Sequence, residues 1–350
     1  MKKRVLAAFL SMAMVAGLAT GCGTPGGGSS DGDSSDGKVF RYAVNTLPTT
    51  LDPTKGQSIG DNEIQHAITE GLTRNTAGDV KPGIAESWDE SEDGLTYTFH
   101  LRKDAKWSDG EPITAGDFEY SWKRLVNPET ASPYAFIGDC LKNGQAIEQG
   151  NMDVEELGVK AVDDNTLEVT LEHPTSYFLS LIGSSGQFAP LRQDIVEKYG
   201  TDFAATSEKN VYSGPFVMTS SEDNVWTFEK NDNYWDKDSI NLDKCELNYV
   251  ENTDTQLSMY EAGDLDYVQV PTAYVPDYKD KAEVFANGNV DFCYINSKSD
   301  NPVLGNKNFR LALNYALNRN DYNKLANADT YTAFNGLVFP GLQAKGTTYG

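Results

Sequence analysis

The chain has 350 residues, and its 52 acidic residues against 29 basic ones give a formal net charge of −23 at pH 7. A surface of that sign repels nucleic acid and anionic lipid, and no basic cluster of five or more residues interrupts it, so a nucleic-acid-binding function is excluded. The length is sufficient for two or more domains.

The first residues have the layout of a secretory signal peptide. Residues 2–4 are basic, residues 5–19 are almost wholly apolar, and small residues precede Cys22. The apolar run is shorter than the roughly 20 residues that a membrane-spanning helix needs. The order resembles the bacterial lipobox, in which residues 1–21 would be removed and the Cys22 thiol would carry lipid, although Ala19 stands where that motif usually has Leu. The alternative is an ordinary signal peptide with an incidental cysteine.

The segment after Cys22 has the composition of a tether. Residues 23–37 read GTPGGGSSDGDSSDG and contain no aromatic or large aliphatic side chain. Such a segment cannot bury enough surface to offset its ordering entropy, and about 15 Gly/Ser residues span roughly 20 Å as a flexible coil. Residues 22–38 are therefore predicted to be a lipidated, flexible tether that holds a domain just outside the cell membrane.

Short strands and helices alternate irregularly along the rest of the chain. Period-2 alternation predicts strands at residues 40–44, 95–101 and 226–228, a hairpin over residues 159–171, and a further strand around residues 290–296. Helical spacing predicts helices at residues 64–72, 114–125, 253–260 and 309–326. Thr114 and Thr253 are the expected N-caps, and Gly263 is the expected stop. This mixed order indicates an α/β or α+β architecture.

The chain shows no motif for catalysis or metal binding. Cys140, Cys245 and Cys293 are far apart and odd in number, which is neither a metal-ligand spacing nor a disulfide framework. One pair can form a disulfide in an oxidising compartment, and the pairing stays open. The three histidines are isolated, and neither GxSxG nor HExxH occurs. We therefore expect no catalytic residues, no metal and no cofactor.

Several long strings are characteristic in combination. The sequence contains TLDP (50–53), PGIAESW (82–88), LTYTFHLRKDAKWSDGEPITAGDFEYSW (95–122), ASPYA (131–135), LGVKAVDDNTLEVTL (157–171), SGPF (213–216), NDNYW (231–235) and NFRLALNYALNR (308–319). Together they resemble the extracellular solute-binding protein family 5 over nearly all of residues 39–340. ASPYA and LGVKAVDD resemble the oligopeptide-binding branch in particular, more than the dipeptide or nickel branches.

The resemblance implies an α/β, periplasmic-binding-protein-like fold of type II, with two lobes and an additional lobe. Lobe I would comprise residues 39–57 and 187–270, the additional lobe residues 58–186, and the opening of lobe II residues 271–350. Because members of the family continue further, the chain is expected to be C-terminally truncated and lobe II incomplete. Apolar faces such as Leu313, Leu317 and Leu337 would then lack packing partners, so poor order after about residue 271 and weak peptide affinity are expected.

The resemblance also implies a function: an extracytoplasmic, monomeric lipoprotein of an ABC importer that captures oligopeptides and delivers them to permease subunits in the membrane. The peptide would be held through its backbone, as a strand added between protein strands, with its side chains in hydrated pockets. By resemblance the ligand-binding residues are Gln57, Ser58, Ile59, Tyr134, Ser184, Gln269, Val270 and Tyr294. The family often has an acidic residue where this chain has Gln57.

Two other interpretations remain open on the sequence. One is a peptide-sensing surface receptor that feeds no importer. The other keeps the fold and replaces the ligand with a dipeptide, a sugar or a metal chelate.

Overall fold

Two four-stranded sheets and the helices packed on them make up most of the molecule. The computed structural model describes residues 37–76, 79–285, 290–334, 336, 343–344 and 347–348. The predicted signal peptide, Cys22 and nearly all of the tether lie outside the described residues.

The strands, in chain order, are β1 Val39–Val44, β2 Thr73–Thr76, β3 Asp79–Pro82, β4 Ala85–Glu90, β5 Thr96–Leu101, β6 Val159–Asp163, β7 Thr166–Thr170, β8 Phe216–Glu222, β9 Val225–Lys230, β10 Lys244–Tyr249, β11 Gln343–Ala344 and β12 Thr347–Thr348. The α-helices are α1 Ile59–Ile68, α2 Ala115–Val126, α3 Gly144–Glu148, α4 Phe178–Ser184, α5 Gln193–Tyr199, α6 Thr253–Ala262, α7 Val275–Tyr278, α8 Pro302–Gly305, α9 Lys307–Ala316 and α10 Arg319–Ala326.

The first sheet has the strand order β1-β10-β9-β8. β1 and β10 are parallel, with Tyr42 opposite Leu247, while β10, β9 and β8 pair antiparallel. Parallel neighbours need a crossover connection, and here that connection contains the whole second sheet. The predicted strands at residues 40–44 and 226–228 are confirmed.

The second sheet is antiparallel throughout, in the order β4-β5-β7-β6. Along β5, Tyr97, Phe99 and Leu101 are buried while the residues between them are only half-buried, so the predicted alternation is confirmed. Helix α2 covers the buried face and begins at the predicted capping box, in which the Thr114 N–H donates to the Asp117 carboxylate at 2.8 Å. The predicted 159–171 hairpin is present as β6 and β7.

Two hydrophobic clusters form the core. The first is built from residues 72–188, and the second from residues 44–68 and 191–247. Helix α1 contributes Ile64 and Ile68 to the second cluster, although the predicted additional lobe starts at residue 58. The lobe boundaries stay a prediction, and the packing links α1 with the first sheet.

A charged and aromatic cluster joins the region of the first hydrophobic cluster, residues 72–188, to that of the second, residues 191–247. Glu70 is buried, pairs with Arg74 and accepts a hydrogen bond from the Trp235 indole N–H at 2.8 Å. Arg74 also reaches Asp236 at 3.0 Å, and the guanidinium carbons of Arg74 and Arg102 lie 4.6 and 3.1 Å from the Trp235 ring centroid. The NDNYW string is therefore a structural joint between the regions.

Helices and strands late in the chain differ from the prediction in three places. Helix α6 is capped by Asn252 and not Thr253, because the Asn252 side chain accepts the Thr255 N–H at 2.9 Å; it stops at Gly263, which has a φ of +84°, as predicted. The single predicted helix 309–326 is broken into α9 and α10, because the Asn318 side chain accepts two backbone N–H groups and starts a new helix. Residues 290–296 form no strand, since no described strand lies alongside to pair with them.

The described residues after 270 contribute little to the core. Leu313 and Leu317 are 45% and 46% exposed, as predicted, while Leu337 lies outside the described residues. Among residues 271–285, 290–334 and 336, only Asn323 is buried. Helices α9 and α10 therefore present apolar side chains to solvent.

Candidate ligand-binding site

The segment between β1 and α1 is shaped by one buried carboxylate. Asp61 accepts hydrogen bonds from the backbone N–H groups of Thr49 at 2.6 Å, Thr50 at 3.1 Å, Gln57 at 3.1 Å and Ser58 at 2.9 Å. Burial alone would raise the pKa of Asp61, but these donors outweigh it and hold the pKa below its ordinary value. The carboxylate therefore draws together residues 49–50 and 57–58, the two ends of the loop that precedes α1.

A buried ion pair fixes the middle of the same loop. Asp52 is buried and forms a bidentate salt bridge with Arg124 of α2. Nη1 of Arg124 lies 2.9 Å from Oδ1 of Asp52, and Nη2 lies 2.7 Å from Oδ2. Ser132 adds a link, because its hydroxyl donates to the Thr54 carbonyl at 2.6 Å. The loop is thus tied to α2 and to the turn that carries Tyr134.

Three predicted ligand residues lie at this loop and the start of α1. Gln57 and Ile59 are exposed, and Ser58 is half-buried and caps α1 through its hydroxyl, which accepts the Asp61 N–H at 2.9 Å. The N–H groups of Gln57 and Ser58 are already bonded to Asp61. A ligand at this edge can therefore use side chains and carbonyl groups, but not these two amide donors.

A cavity of about 200 Å³ lies beside α1. It is lined by Asn62, Gln65 and His66 of α1, by Tyr134, and by residues 184–187. The structure thus brings together two predicted ligand residues, Tyr134 and Ser184, that are distant in the sequence. None of the lining residues carries a carboxylate, an ammonium or a guanidinium group, so the cavity suits a neutral polar ligand group.

Tyr134 and Ser184 are held by their neighbours. The Tyr134 N–H donates to the Ser132 hydroxyl at 3.2 Å, and the tyrosine side chain is half-buried. Ser184 is exposed at the end of α4, where its hydroxyl donates to the Ser180 carbonyl at 2.8 Å and accepts from the Asn75 amide at 2.8 Å. The Ser184 hydroxyl therefore has a fixed position at the cavity wall, whereas for Tyr134 it is the backbone that is held.

Gln65 is a cavity residue that the sequence reasoning missed. Its side chain is 1% exposed, and neither Nε2 nor Oε1 has a hydrogen-bond partner. Buried carboxamides in proteins are usually paired. A signal was available in the sequence, because a glutamine next to Ile64 and three residues before Ile68 falls on the buried face of the helix.

The other predicted residues lie away from this cavity. Gln269 is exposed and Val270 half-buried, in an extended segment that follows a parallel bridge between Tyr42 and Tyr267 at the free edge of β1. Tyr294 is 83% exposed and lies in the irregular stretch 290–296. None of the three lines the cavity.

A second cavity of about 460 Å³ lies between α6 and residues 274–281. Glu261 and Lys281 are among its lining residues, and Glu261 accepts a hydrogen bond from the Tyr278 hydroxyl. No predicted ligand residue lines it, so we base the site on the first cavity.

The described residues contain no group of three or more His, Cys, Asp or Glu side chains that could hold a metal ion. Cys140, Cys245 and Cys293 are free thiols, so none of the possible disulfides is formed. Burial raises the pKa of Cys140 and that of Cys245 to about 11. Within the part of the chain that the structure describes, no helix has the length and apolar character to cross a membrane.

The family described as bacterial extracellular solute-binding proteins, family 5 Middle, matches residues 79–349. Among curated proteins, the dipeptide-binding protein DppE of Bacillus subtilis is 34% identical over 317 residues, which are 90% of this chain and 58% of DppE.

Solved structures agree with this match. A substrate-binding domain described as an oligopeptide ABC transporter from Bacillus anthracis has a TM-score of 0.68 and 39% identity, over 71% of this chain and 48% of that one. Listeria monocytogenes OppA bound to peptide has a TM-score of 0.69 and 33% identity, over 83% of this chain and 58% of that one.

The chain spans about half to three fifths of the length of these relatives. The predicted α/β, periplasmic-binding-protein-like fold and the resemblance to the peptide-binding members of the family are confirmed by them. The chain belongs to the bacterial extracellular solute-binding proteins of family 5, which are binding proteins and not enzymes.

Proposed function

We propose that this chain is the ligand-capturing part of an extracytoplasmic lipoprotein that binds oligopeptides through their backbone and delivers them to the permease of an ABC importer. Support comes from relatives named as dipeptide-binding, as an oligopeptide ABC transporter and as peptide-bound OppA. Peptides share a backbone whatever their sequence, so backbone recognition is the physical route to broad specificity.

The observation that carries the proposal is the neutral, polar cavity beside α1. It joins Tyr134 and Ser184 with the α1 side chains and offers hydroxyl, amide and imidazole groups. These groups can both donate and accept hydrogen bonds, as one peptide unit requires. A cavity without a fixed charge favours no single charged side chain, which fits tolerance of ligand sequence.

The remaining ligand residues extend the proposed site along the first sheet. Gln57, Ser58 and Ile59 form one edge at the start of α1, and Gln269 and Val270 follow the bridge to β1. Tyr294 would contact the ligand from the opposing side. The backbone N–H groups of Gln57 and Ser58 are already bound to Asp61. At this edge the ligand would therefore bind by donating its own N–H groups to carbonyl oxygens of the protein.

Ligand identity tests the proposal directly. The protein is purified under native conditions from cells grown in peptide-rich medium, and retained molecules are released and analysed by mass spectrometry. We expect mixed short peptides. A single sugar, a bile acid or a metal chelate, together with no response to unrelated tri- to pentapeptides in ligand-observed NMR, would reject peptide binding. The NMR readout also detects weak binding.

Anchoring through Cys22 is a separate part of the proposal. The basic, apolar and Gly-Cys order followed by a Gly/Ser tether supports it. A Cys22→Ser variant should leave the membrane fraction and appear in the medium or periplasm, while the unsubstituted protein sediments with membranes. Undiminished membrane attachment of the variant would contradict lipid anchoring without affecting peptide binding.

A further inference from the structure

The carboxamide of Gln65 stands out among the buried groups of the described residues. Gln65 lines the cavity beside α1 and is 1% exposed, and both polar atoms of its side chain lack a partner among the described residues. A buried polar atom without a hydrogen bond costs about 1–3 kcal/mol, so two such atoms on one side chain are a substantial local cost. Such a cost is expected where a ligand later supplies the partners.

The surroundings of Gln65 restrict where its amide can lie. A Cβ atom on Gly56 would overlap Nε2, and one on Gly186 would come within 2.7 Å of Oε1. The backbones at Gly56 and Gly186 therefore approach the two ends of the amide so closely that neither position has room for a side chain.

The neighbouring glutamine shows the contrast. Gln187 also lines the cavity and is buried, but its Nε2 donates to the Gly56 carbonyl at 3.2 Å and its Oε1 accepts from the Ser185 hydroxyl at 2.5 Å. The fold therefore gives each polar atom of the Gln187 amide a partner and leaves both polar atoms of the Gln65 amide unpaired. Gln187 holds the wall together, and Gln65 is the group left available.

We infer that the Gln65 carboxamide binds one backbone amide unit of the peptide, accepting its N–H at Oε1 and donating Nε2–H to its C=O. This rests on the proposed peptide-binding function and adds a specific positioning residue to it. A carboxamide offers the same donor and acceptor pair as a peptide unit, so the two match in either chain direction. A free terminus is a poorer match, because no ionised Asp, Glu, Lys or Arg lines the cavity.

The first test is a set of three Gln→Met substitutions, which keep the side chain about the same size. Gln65→Met removes both polar atoms and should lower the affinity for a short peptide about tenfold, as for loss of a buried hydrogen bond. Its thermal midpoint should stay unchanged or rise, because no bond within the protein is lost. Gln187→Met should lower the midpoint, and Gln193→Met, at an exposed site on α5, should alter neither affinity nor midpoint.

The second test locates the contact on the ligand. Each amide of a peptide that binds the 350-residue chain is replaced in turn by an ester, which removes one N–H, and affinities are measured by ligand-observed NMR. One ester position should weaken binding several-fold to the unsubstituted protein and have no effect on Gln65→Met. An ester scan that is identical in the two proteins, or equal peptide affinity of both, would overturn the inference and indicate that the cavity holds only water.

The two proposals fail in different ways. If the unsubstituted protein binds no peptide, the proposed function and this inference fall together. If it binds peptides and Gln65→Met binds them equally well, peptide binding stands and only the role of Gln65 is rejected.

Discussion

Replacing Asp61 with asparagine should loosen the loop that precedes α1. One carboxylate oxygen accepts the N–H groups of Thr49 and Thr50, and the other accepts those of Gln57 and Ser58. In Asp61→Asn one oxygen becomes an NH₂ group that faces two donors and can accept from neither. Two partly buried backbone N–H groups thus lose a charged acceptor, and a hydrogen bond to a charged group contributes about 1.5–3 kcal/mol when buried and less when solvent can replace it, so the variant should lose about 2 kcal/mol.

Urea unfolding followed by tryptophan fluorescence measures this loss, and hydrogen exchange locates it. The midpoint should fall at unchanged slope, and the four amides around Asp61 should exchange about 30-fold faster if the loop opens locally, as about 2 kcal/mol implies. Asp93→Asn is the matched control, because Asp93 serves the same bonding role in an exposed turn, accepting the Leu95 N–H at 3.1 Å. An unchanged midpoint and unchanged exchange in Asp61→Asn would refute the reasoning.

The effect of Asp61 should also depend on pH with a definite sign. Its pKa is lowered in the folded protein, because the N–H donors outweigh burial. The carboxylate therefore contributes its full stability above the ordinary pKa of an aspartate, about 4, and this contribution is lost as the pH falls through the lower pKa of the folded state. The stability difference between the unsubstituted protein and Asp61→Asn should shrink on acidification, and a constant difference down to pH 2 would contradict this.

Two further predictions follow from burial. The pKa of Cys140 and that of Cys245 are raised to about 11, so roughly one in a thousand of these two thiols is ionised at pH 8. Iodoacetamide should therefore modify the exposed Cys293 first. Equal modification rates of the three cysteines, measured by site-resolved mass spectrometry, would count against this. Amides in residues 271–334 should exchange faster than those of α2, because Asn323 is the one buried residue among those described there. Protease should cut there first, and strong protection in α9 would show that this region is packed.

Elements whose determinants are local could be predicted from the sequence. The unit from β5 to α2 follows from strict alternation and from a capping box four residues long, neither of which needs a distant partner. The helix-stopping role of Gly263 is equally local, because it needs a positive φ. Errors arose where two local signals compete: Asn252 outranks Thr253 as a cap, and Asn318 restarts a helix that the apolar spacing alone would continue.

The candidate site was predictable only in part. Resemblance to the family singled out Tyr134 and Ser184, and the structure places both at one cavity. The resemblance gave no reason to single out Gln65, because whether an amide is unpaired depends on which donors and acceptors the folded protein places around it. Tyr294 was expected on a strand, but a strand exists only where another strand accepts and donates its backbone hydrogen bonds, and none of the described strands does so there.

The amino-acid sequence by itself determined the family and most local elements, because each is written in a contiguous run of residues, and the export signal and the tether are predicted from runs of the same kind. Only the tertiary structure decided that Asp61 gathers four backbone donors from two sides of a loop, and that Gly56 and Gly186 enclose the Gln65 amide. These arrangements depend on segments that are distant in the chain and meet only after the two sheets have packed. Hydrogen-bond satisfaction is a property of that packing, and no spacing of residue types along the chain reports it.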